Sequence, residues 1–333
     1  MKNPLNGNEM IPVNERRTWS FRGETFFYNY SGWKDEKTGD LFTSDDNDDA
    51  SFLQVTNQYR ERYGVPYMDQ IVALRKMYGL SASKMSLVLG FGANQYRKYE
   101  MGEVPNISNG RMILSAFDPK VMLGYVASAR HELSEDEYKK ITDKITSMLE
   151  DAEAQRIDDY ETHRIFSYDR GAVNGYAQQS LTRLKNAMLF VLEKISDVWV
   201  TKMNKVLFYI DFLSYKKYGS AITGLAYRAI SYGPVPERWE KVYCQFDEIS
   251  QEPKQLGKYG GNMLQSSTKP DLSYFTEKEL LILNTVCNAL KNLNASQISD
   301  LSHKEKLWLD YKDKRAIIPF KDAYLLAGID VPA

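Results

Sequence analysis

Residues 87–102 read LVLGFGANQYRKYEMG, and the two glycines at 90 and 92 decide how this part of the chain folds. A dinucleotide-binding turn requires a third glycine to complete G-x-G-x-x-G and a hydrophobic strand before the first. Here the third position is Gln95, and no strand-like run precedes Gly90, so a phosphate-cradling loop is set aside. The other reading is a corner between two helices. SASKMSLVLG reads as a helix capped by Ser81, with Met85 and Leu89 on one inward face at i, i+4. Gly90 then follows the last turn, where a left-handed residue ends a helix. A second helix starts within three residues. Tyr96 and Tyr99 share its inward face at i, i+3, which leaves Asn94, Gln95, Arg97 and Lys98 for solvent.

These exposed residue types suit duplex DNA. Asn and Gln pair bidentately with adenine edges, Arg with guanine, and Lys neutralises phosphate. From Tyr67 to Met112 there are six basic residues, Arg75, Lys76, Lys84, Arg97, Lys98 and Arg111, against Asp69, Glu100 and Glu103. The local charge is therefore +3 on a chain whose net charge is -1. Ser81, Lys84, Asn94, Gln95, Arg97 and Lys98 are the DNA-binding candidates. The plainer alternative is a small helical bundle whose polar helix merely faces water.

The rest of the composition excludes several classes. With 333 residues the chain is long enough for two or three domains. No apolar run reaches the length a bilayer requires, and MKNPLNGNEM lacks the apolar region of a signal peptide, so a cytoplasmic protein with no membrane partner is expected. Cys244 and Cys287 lie far apart with no CxxC, which leaves neither a disulfide framework nor a cysteine zinc site. His131, His163 and His303 are too scattered for a ligand set, so no metal and no cofactor is expected.

The expected fold is mainly α, in four segments. Residues 1–63 hold alternating stretches, RRTWSF and ETFFYNY, that predict a β-hairpin, followed by DEKTGDLFTSDDNDDA with seven carboxylates. That run lacks the glycine and terminal glutamate of a calcium loop, so it reads as a solvated acidic turn. Residues 64–129 form the helix-turn-helix bundle. Residues 130–169 form a helical linker, in which Tyr138, Ile141, Ile145, Met148 and Ala152 make a seam of about two heptads. That seam serves either a bridging helix or a homodimer contact. Residues 170–333 form an α-rich domain with a short β element. Its helices are predicted from the stripe Leu181, Leu184, Met188, Val191, Leu192 and Ile195, from VTKMNKVLFYIDFLSYKKYG, and from residues 276–294 and 320–327. Gly233-Pro234-Val235-Pro236 is predicted to be a rigid turn, because prolines lack the amide donor of a helix interior.

Two resemblances follow from these residues. NQYRERYGVPYMDQIVALRKMYGLSASKMSLVLGFGANQYRKYEMGEVPNISNGRMI resembles the helix-turn-helix half of MqsA-like antitoxins, including the ending Tyr99, Glu100 and Gly102. In that family the amino-terminal part is a zinc ribbon on two CxxC pairs. The cysteines are absent here, so the resemblance implies a metal-free remnant held by packing among Trp19, Phe21, Phe26, Phe27, Tyr28, Tyr30 and Trp33. By position, the family's base-reading residues correspond to Asn94 and Lys98. The carboxy-terminal half resembles the Panacea (SocA-like) domain of bacterial and phage antitoxins. Three blocks carry the likeness: KMNKVLFYIDFLSYKKYGSAITGLAYRAISYGPVP at 202–236, ISDLSHKEKLWLDYK at 298–312, and Ile318-Pro319-Phe320. It implies a domain that binds and neutralises a cognate protein toxin encoded beside it.

Aromatic residues crowd positions 208–243 between basic ones, and tyrosine, tryptophan and arginine dominate interface hot spots. Lys205, Tyr209, Asp211, Tyr215, Tyr227, Tyr232 and Trp239 are the toxin-binding candidates; the plain alternative for each is core packing. The chain thus reads as an antitoxin that binds operator DNA and a toxin, and not as an enzyme. A regulator sensing a small molecule, or a hydrolase acting through Asp211 and His303, are the rival readings.

Overall fold

Arg22 and Gly23, both left-handed at φ 51° and 84°, turn strand β1 (Met10–Phe21) back onto β2 (Glu24–Asp35). Phe21 pairs with Glu24 and Met10 with Asp35. Two residues with positive φ give the hairpin turn whose twist matches its strands. A short β3 (Leu41–Phe42) continues the sheet on the far side of β2. The first half of the acidic run does turn, at Glu36–Thr38, but its second half is the start of helix α1 (Asp45–Tyr63), with Asp45, Asp46 and Asp48 in its first turn. Carboxylates there face the positive end of the helix dipole, which is why an acidic cluster starts a helix so readily.

The computed structural model describes residues 2–150, 160–256 and 259–330. The protein is mainly α, with sheets of only two or three strands. Its compact units cut across the four segments read from sequence: Met1–Val55 clusters with Thr162–Ala333, and Thr56–Glu161 forms the other unit. Among the described residues, no helix is long and apolar enough to cross a membrane.

The Thr56–Glu161 unit contains α2 (Met68–Tyr78), α3 (Ala82–Val88), α4 (Gln95–Glu100), α5 (Ile107–Ser115), α6 (Pro119–Ser128) and α7 (Glu135–Glu150). Ser81 caps α3 by accepting from the Lys84 amide. The helix ends as its glycine predicts: Gly90 N–H donates to Leu87 at 3.0 Å and Phe91 N–H to Ser86 at 2.7 Å, with Gly90 at φ 67°. This is the paired closure that a left-handed C′ residue permits. The seam of α7 turns into the same core, where Ile141 and Ile145 are buried and Tyr138 and Met148 are partly so. The α7 part of the expected linker therefore packs on this core through Ile141 and Ile145. Ala152, the seam's last member, lies outside the described residues.

In the other unit, α8 (Leu181–Lys194) and α9 (Val200–Tyr218) match their predicted spans. Gly219 closes α9 at φ 75°, and a Cβ there would also stand 2.6 Å from the Ala50 carbonyl oxygen. β4 (Tyr227–Ile230) and β5 (Gly233–Pro236) follow. Gly-Pro-Val-Pro is therefore a buried strand, not the predicted turn. The register explains how it tolerates two prolines: Pro236 faces Tyr227 and Pro234 faces Ala229. Those two partners direct their backbone bonds away from β5, Ala229 N–H to Ala316 and the Tyr227 carbonyl to Ile318 N–H. The prolines thus occupy positions where no ladder bond is lost. After α10 (Trp239–Tyr243) comes a hairpin, β6 (Ser250–Leu256) and β7 (Tyr259–Gln265), that no sequence signal indicated. Then follow α11 (Glu277–Leu290), α12 (Ala295–His303) and α13 (Lys306–Leu309), and Phe320–Leu325 is a 3-10 helix. Phe320 stacks on Phe212 at 4.2 Å, which pins the Ile-Pro-Phe step to α9.

Candidate functional site

Tyr96 and Tyr99 point inward, at 0% and 3% exposure. Their hydroxyls are tied down as well: Tyr96 Oη donates to the Ile71 carbonyl at 2.7 Å, and Asn109 Nδ2 donates to Tyr99 Oη at 2.8 Å. Ser86 Oγ accepts from the Tyr96 amide at 2.9 Å, a link between α3 and α4 that sequence reasoning missed. Burial lifts the Tyr96 phenol well above its usual range. With the inward face locked, Asn94, Arg97 and Lys98 are exposed and Gln95 is half-buried. Asn94 sits at φ 61°, a backbone state asparagine tolerates better than most residues, and its side chain makes no cap bond.

The positive charge of this region is smaller than its count suggests. Arg75 pairs with Glu100 at 2.6 Å and Lys84 with Glu137 at 2.8 Å, while Gln95 Nε2 donates to Glu103 at 2.7 Å. Lys76, Arg97, Lys98 and Arg111 are the exposed cations left. Of the six DNA-binding candidates, Asn94, Arg97 and Lys98 thus present their polar groups outward. Ser81, Lys84 and Gln95 are engaged locally.

The other candidate set has a different fate. Lys205, Tyr209, Asp211, Tyr215 and Tyr227 are all buried within their own unit, while Tyr232 is 77% exposed and Trp239 half-buried. Only the last two can meet a partner's surface directly in this conformation. Asp211 is a structural anchor. Its Oδ1 accepts from the Ile222 and Thr223 amides, both at 2.8 Å, and its Oδ2 from Tyr227 Oη at 2.6 Å and from the Thr223 hydroxyl. Full burial raises the Asp211 carboxyl pKa despite these bonds, and raises that of Tyr227 too. Among the described residues the hydrogen bonds of Asp211 run to Ile222, Thr223 and Tyr227 and none to His303.

A second polar group gathers on the other flank of α9. Lys205 lies beneath Gly233 beside Ser302 and near His303, and Tyr209, one turn on at i+4, lies near Glu305 and Gly328 of the α12–α13 corner and the segment after it. A Cβ on Gly233 would stand 2.8 Å from Lys205 Cε and 2.9 Å from Ser302 Oγ, so only glycine admits the lysine here. Glu305 accepts from the amides of Ala327 and Gly328 at 3.0 and 2.7 Å. His303 stacks on Trp308 at 4.3 Å, and Trp308 Nε1 donates to the Ile230 carbonyl at 2.8 Å. Desolvation lowers the Lys205 pKa to about 8; desolvation and then the Lys205 charge lower that of His303. Ser302 and Glu305 carried no sequence signal beyond their neighbourhood. The lone lysine in the apolar run KVLFYIDFL was the available clue.

The zinc of the MqsA-like family is not expected here, and the residues at the corresponding turns offer no fitting donor set. Two turns ending in Gly7 and Gly39 carry Asn3 with Asn6, and Asp35 with Thr38, at the spacing of a CxxC pair. Amides, a hydroxyl and a single carboxylate are not the thiolate and imidazole set of a structural zinc site. The turns are instead joined through the buried Asp35. It accepts from Asn3 at 2.6 Å, Asn6 at 2.9 Å, Asn8 at 3.1 Å, and the Lys37 and Thr38 amides at 2.9 and 3.2 Å. Desolvation pushes the Asp35 carboxyl up, but the bonds from Asn6, Asn3, Asn8 and Lys37 outweigh it and hold it well below the ordinary carboxylate range. Aromatic packing is the lesser half of the arrangement. Phe26 and Tyr30 are buried and Trp19 and Phe21 lean on Phe52, yet Phe27 is 53% exposed. Among the described residues no cluster of His, Cys, Asp or Glu could hold a metal ion.

No curated protein matches the chain. The stretch that contains Lys205, Asp211, the Gly-Pro-Val-Pro strand and the α12–α13 corner is accounted for: residues 203–309 match the family described as antitoxin SocA-like, Panacea domain.

Proposed function

We propose that this protein is an antitoxin that neutralises a cognate protein toxin through its Panacea domain and represses its own operon through the α3–α4 helix-turn-helix. The match of residues 203–309 to the SocA-like Panacea domain carries the first half. Antitoxins act by covering a partner, a binding role that requires no catalytic group, and Asp211 is already saturated by structural hydrogen bonds. The toxin itself is the product of a reading frame beside this one. Expressing that frame alone should arrest growth, and co-expressing the full chain should restore it. Arrest that the full chain leaves untouched would sink the neutralising role.

The DNA-binding half rests on one observation: Asn94, Arg97 and Lys98 face solvent on a helix whose tyrosines are anchored in the core. Such a helix can enter a major groove and offer one amide and two cations to base edges and phosphates. Footprinting on the upstream DNA tests it. The Asn94→Ala/Lys98→Ala protein should bind at least tenfold more weakly than wild type, and equal protection by both would remove the operator role.

A further inference from the structure

The polar group around Gly233 includes two groups with open hydrogen-bonding capacity, the Lys205 ammonium and His303 Nε2, although the His303 ring itself stacks on Trp308 and bonds the Tyr232 backbone. Lys205 is 1% exposed, yet among the described residues its ammonium has neither a hydrogen-bond acceptor nor an ion-pair partner. His303 Nε2 is buried and likewise without a partner. A buried ammonium with no acceptor is expensive to keep, because the desolvation that it suffers is repaid by nothing within the domain. A leucine or methionine at 205 would pack on α9 at no such cost. A lysine held there, reached through a glycine that alone leaves it room, therefore has a use outside the folded chain.

We propose that Lys205 and His303 form an acceptor pocket for one carboxylate, presented as an aspartate, glutamate or carboxy-terminal group by the partner protein. Charge matching selects the ligand class. One lysine beside a neutral imidazole offers a single positive charge, which fits a monoanion; phosphate recognition calls for several donors and more charge, commonly an arginine fork. The neighbouring charges agree. Burial, Lys205 and Lys312 act to keep His303 neutral, while its bond to the Tyr232 backbone and Asp300 act the other way, so an arriving carboxylate would offset Lys205 and let His303 protonate and donate from Nε2. Tyr232, directly before Gly233, is 77% exposed, so the segment covering Lys205 lies next to solvent. The pocket thus gives the buried candidate Lys205 a route to the partner that its burial otherwise denies it.

This inference rests on the antitoxin reading for the source of the carboxylate but not for its chemistry, and the two are separable by experiment. The full chain, labelled with 13C at lysine Cε, is titrated with sodium acetate against sodium chloride at equal ionic strength. Acetate should shift the Lys205 resonance saturably and raise the pKa of His303, chloride should do neither, and phosphate should bind no better than acetate. Lys205→Met should weaken acetate binding about tenfold or more. A flat Lys205 resonance overturns the pocket whether or not a toxin is neutralised, and it does so in wild-type protein, so a poorly folding variant cannot obscure the result. In the co-expression assay Lys205→Met should lose rescue while its unfolding midpoint stays at or above that of wild type. Full rescue by a stable Lys205→Met protein overturns the assignment of the carboxylate to the partner.

Discussion

Helices α4 and α9 both carry residue types favoured at binding surfaces, and the fold treats them in opposite ways. On α4 the tyrosines are buried and Arg97 and Lys98 stay outside. On α9 the residues from Lys202 to Tyr215 are buried without a break, polar ones included. The difference lies in the pattern. A helix with one apolar stripe has an outside, whereas one that is apolar nearly all round is a central strut with no solvent face. Residue types favoured at interfaces therefore mean different things on the two. Aromatic and charged residues on a surface helix can be offered to a partner, while the same residues inside a strut are packing or, when polar and unpartnered, a pocket.

The strut makes the largest prediction. Asp211→Ala would strand the Tyr227 and Thr223 hydroxyls and two backbone amides in a dry core, and should cost about 3–5 kcal/mol in denaturant unfolding. A loss below 1 kcal/mol would mean that Asp211 is not the anchor described.

Lys205 sharpens the contrast next, through pH. Its folded pKa, about 8, lies below the ordinary 10.5, so the unfolded chain binds more protons between those values and stability contributed by this group rises with pH across that window. Measured as the difference between wild type and Lys205→Met, the gain should approach about 3 kcal/mol by pH 10.5. A difference that does not change with pH would show that the ammonium is solvated.

For the surface helix, Tyr96→Phe should cost about 1–2 kcal/mol by removing the bond to the Ile71 carbonyl. Smallest of all, Arg97→Ala and Lys98→Ala should each leave stability within about 0.5 kcal/mol, as exposed positions do. If thermal melts showed either to be strongly destabilising, the outward face of α4 would have a structural partner and the comparison would fail.

Much of this was legible in the sequence because the deciding interactions are short. Ser81 to Lys84, Gly90 to Leu87, and Tyr96 with Tyr99 lie within one helical turn of each other, so capping and periodicity were enough to place α3 and α4 and their inward face. The spans of α8 and α9 and the paired strands of the amino-terminal hairpin followed from local patterns in the same way. What could not be read was decided by partners distant in the chain. Gly-Pro-Val-Pro is a strand because residues 316–318 take the backbone bonds of β4 on its other edge. The second half of the acidic run read as a turn while its own composition was the only guide.

By itself, then, the sequence determined where α3, α4, α8 and α9 lie and that residues 202–236 resemble a Panacea domain, since propensity, caps and apolar spacing act over three or four residues. Tertiary structure alone decided that Met1–Val55 clusters with the carboxy-terminal unit, that Ile141 and Ile145 of α7 are core, and that Lys205 is buried beside Gly233 and Ser302. Those outcomes depend on burial and on contacts between segments far apart in the chain, and the free energy of leaving water is set only when the distant surfaces meet.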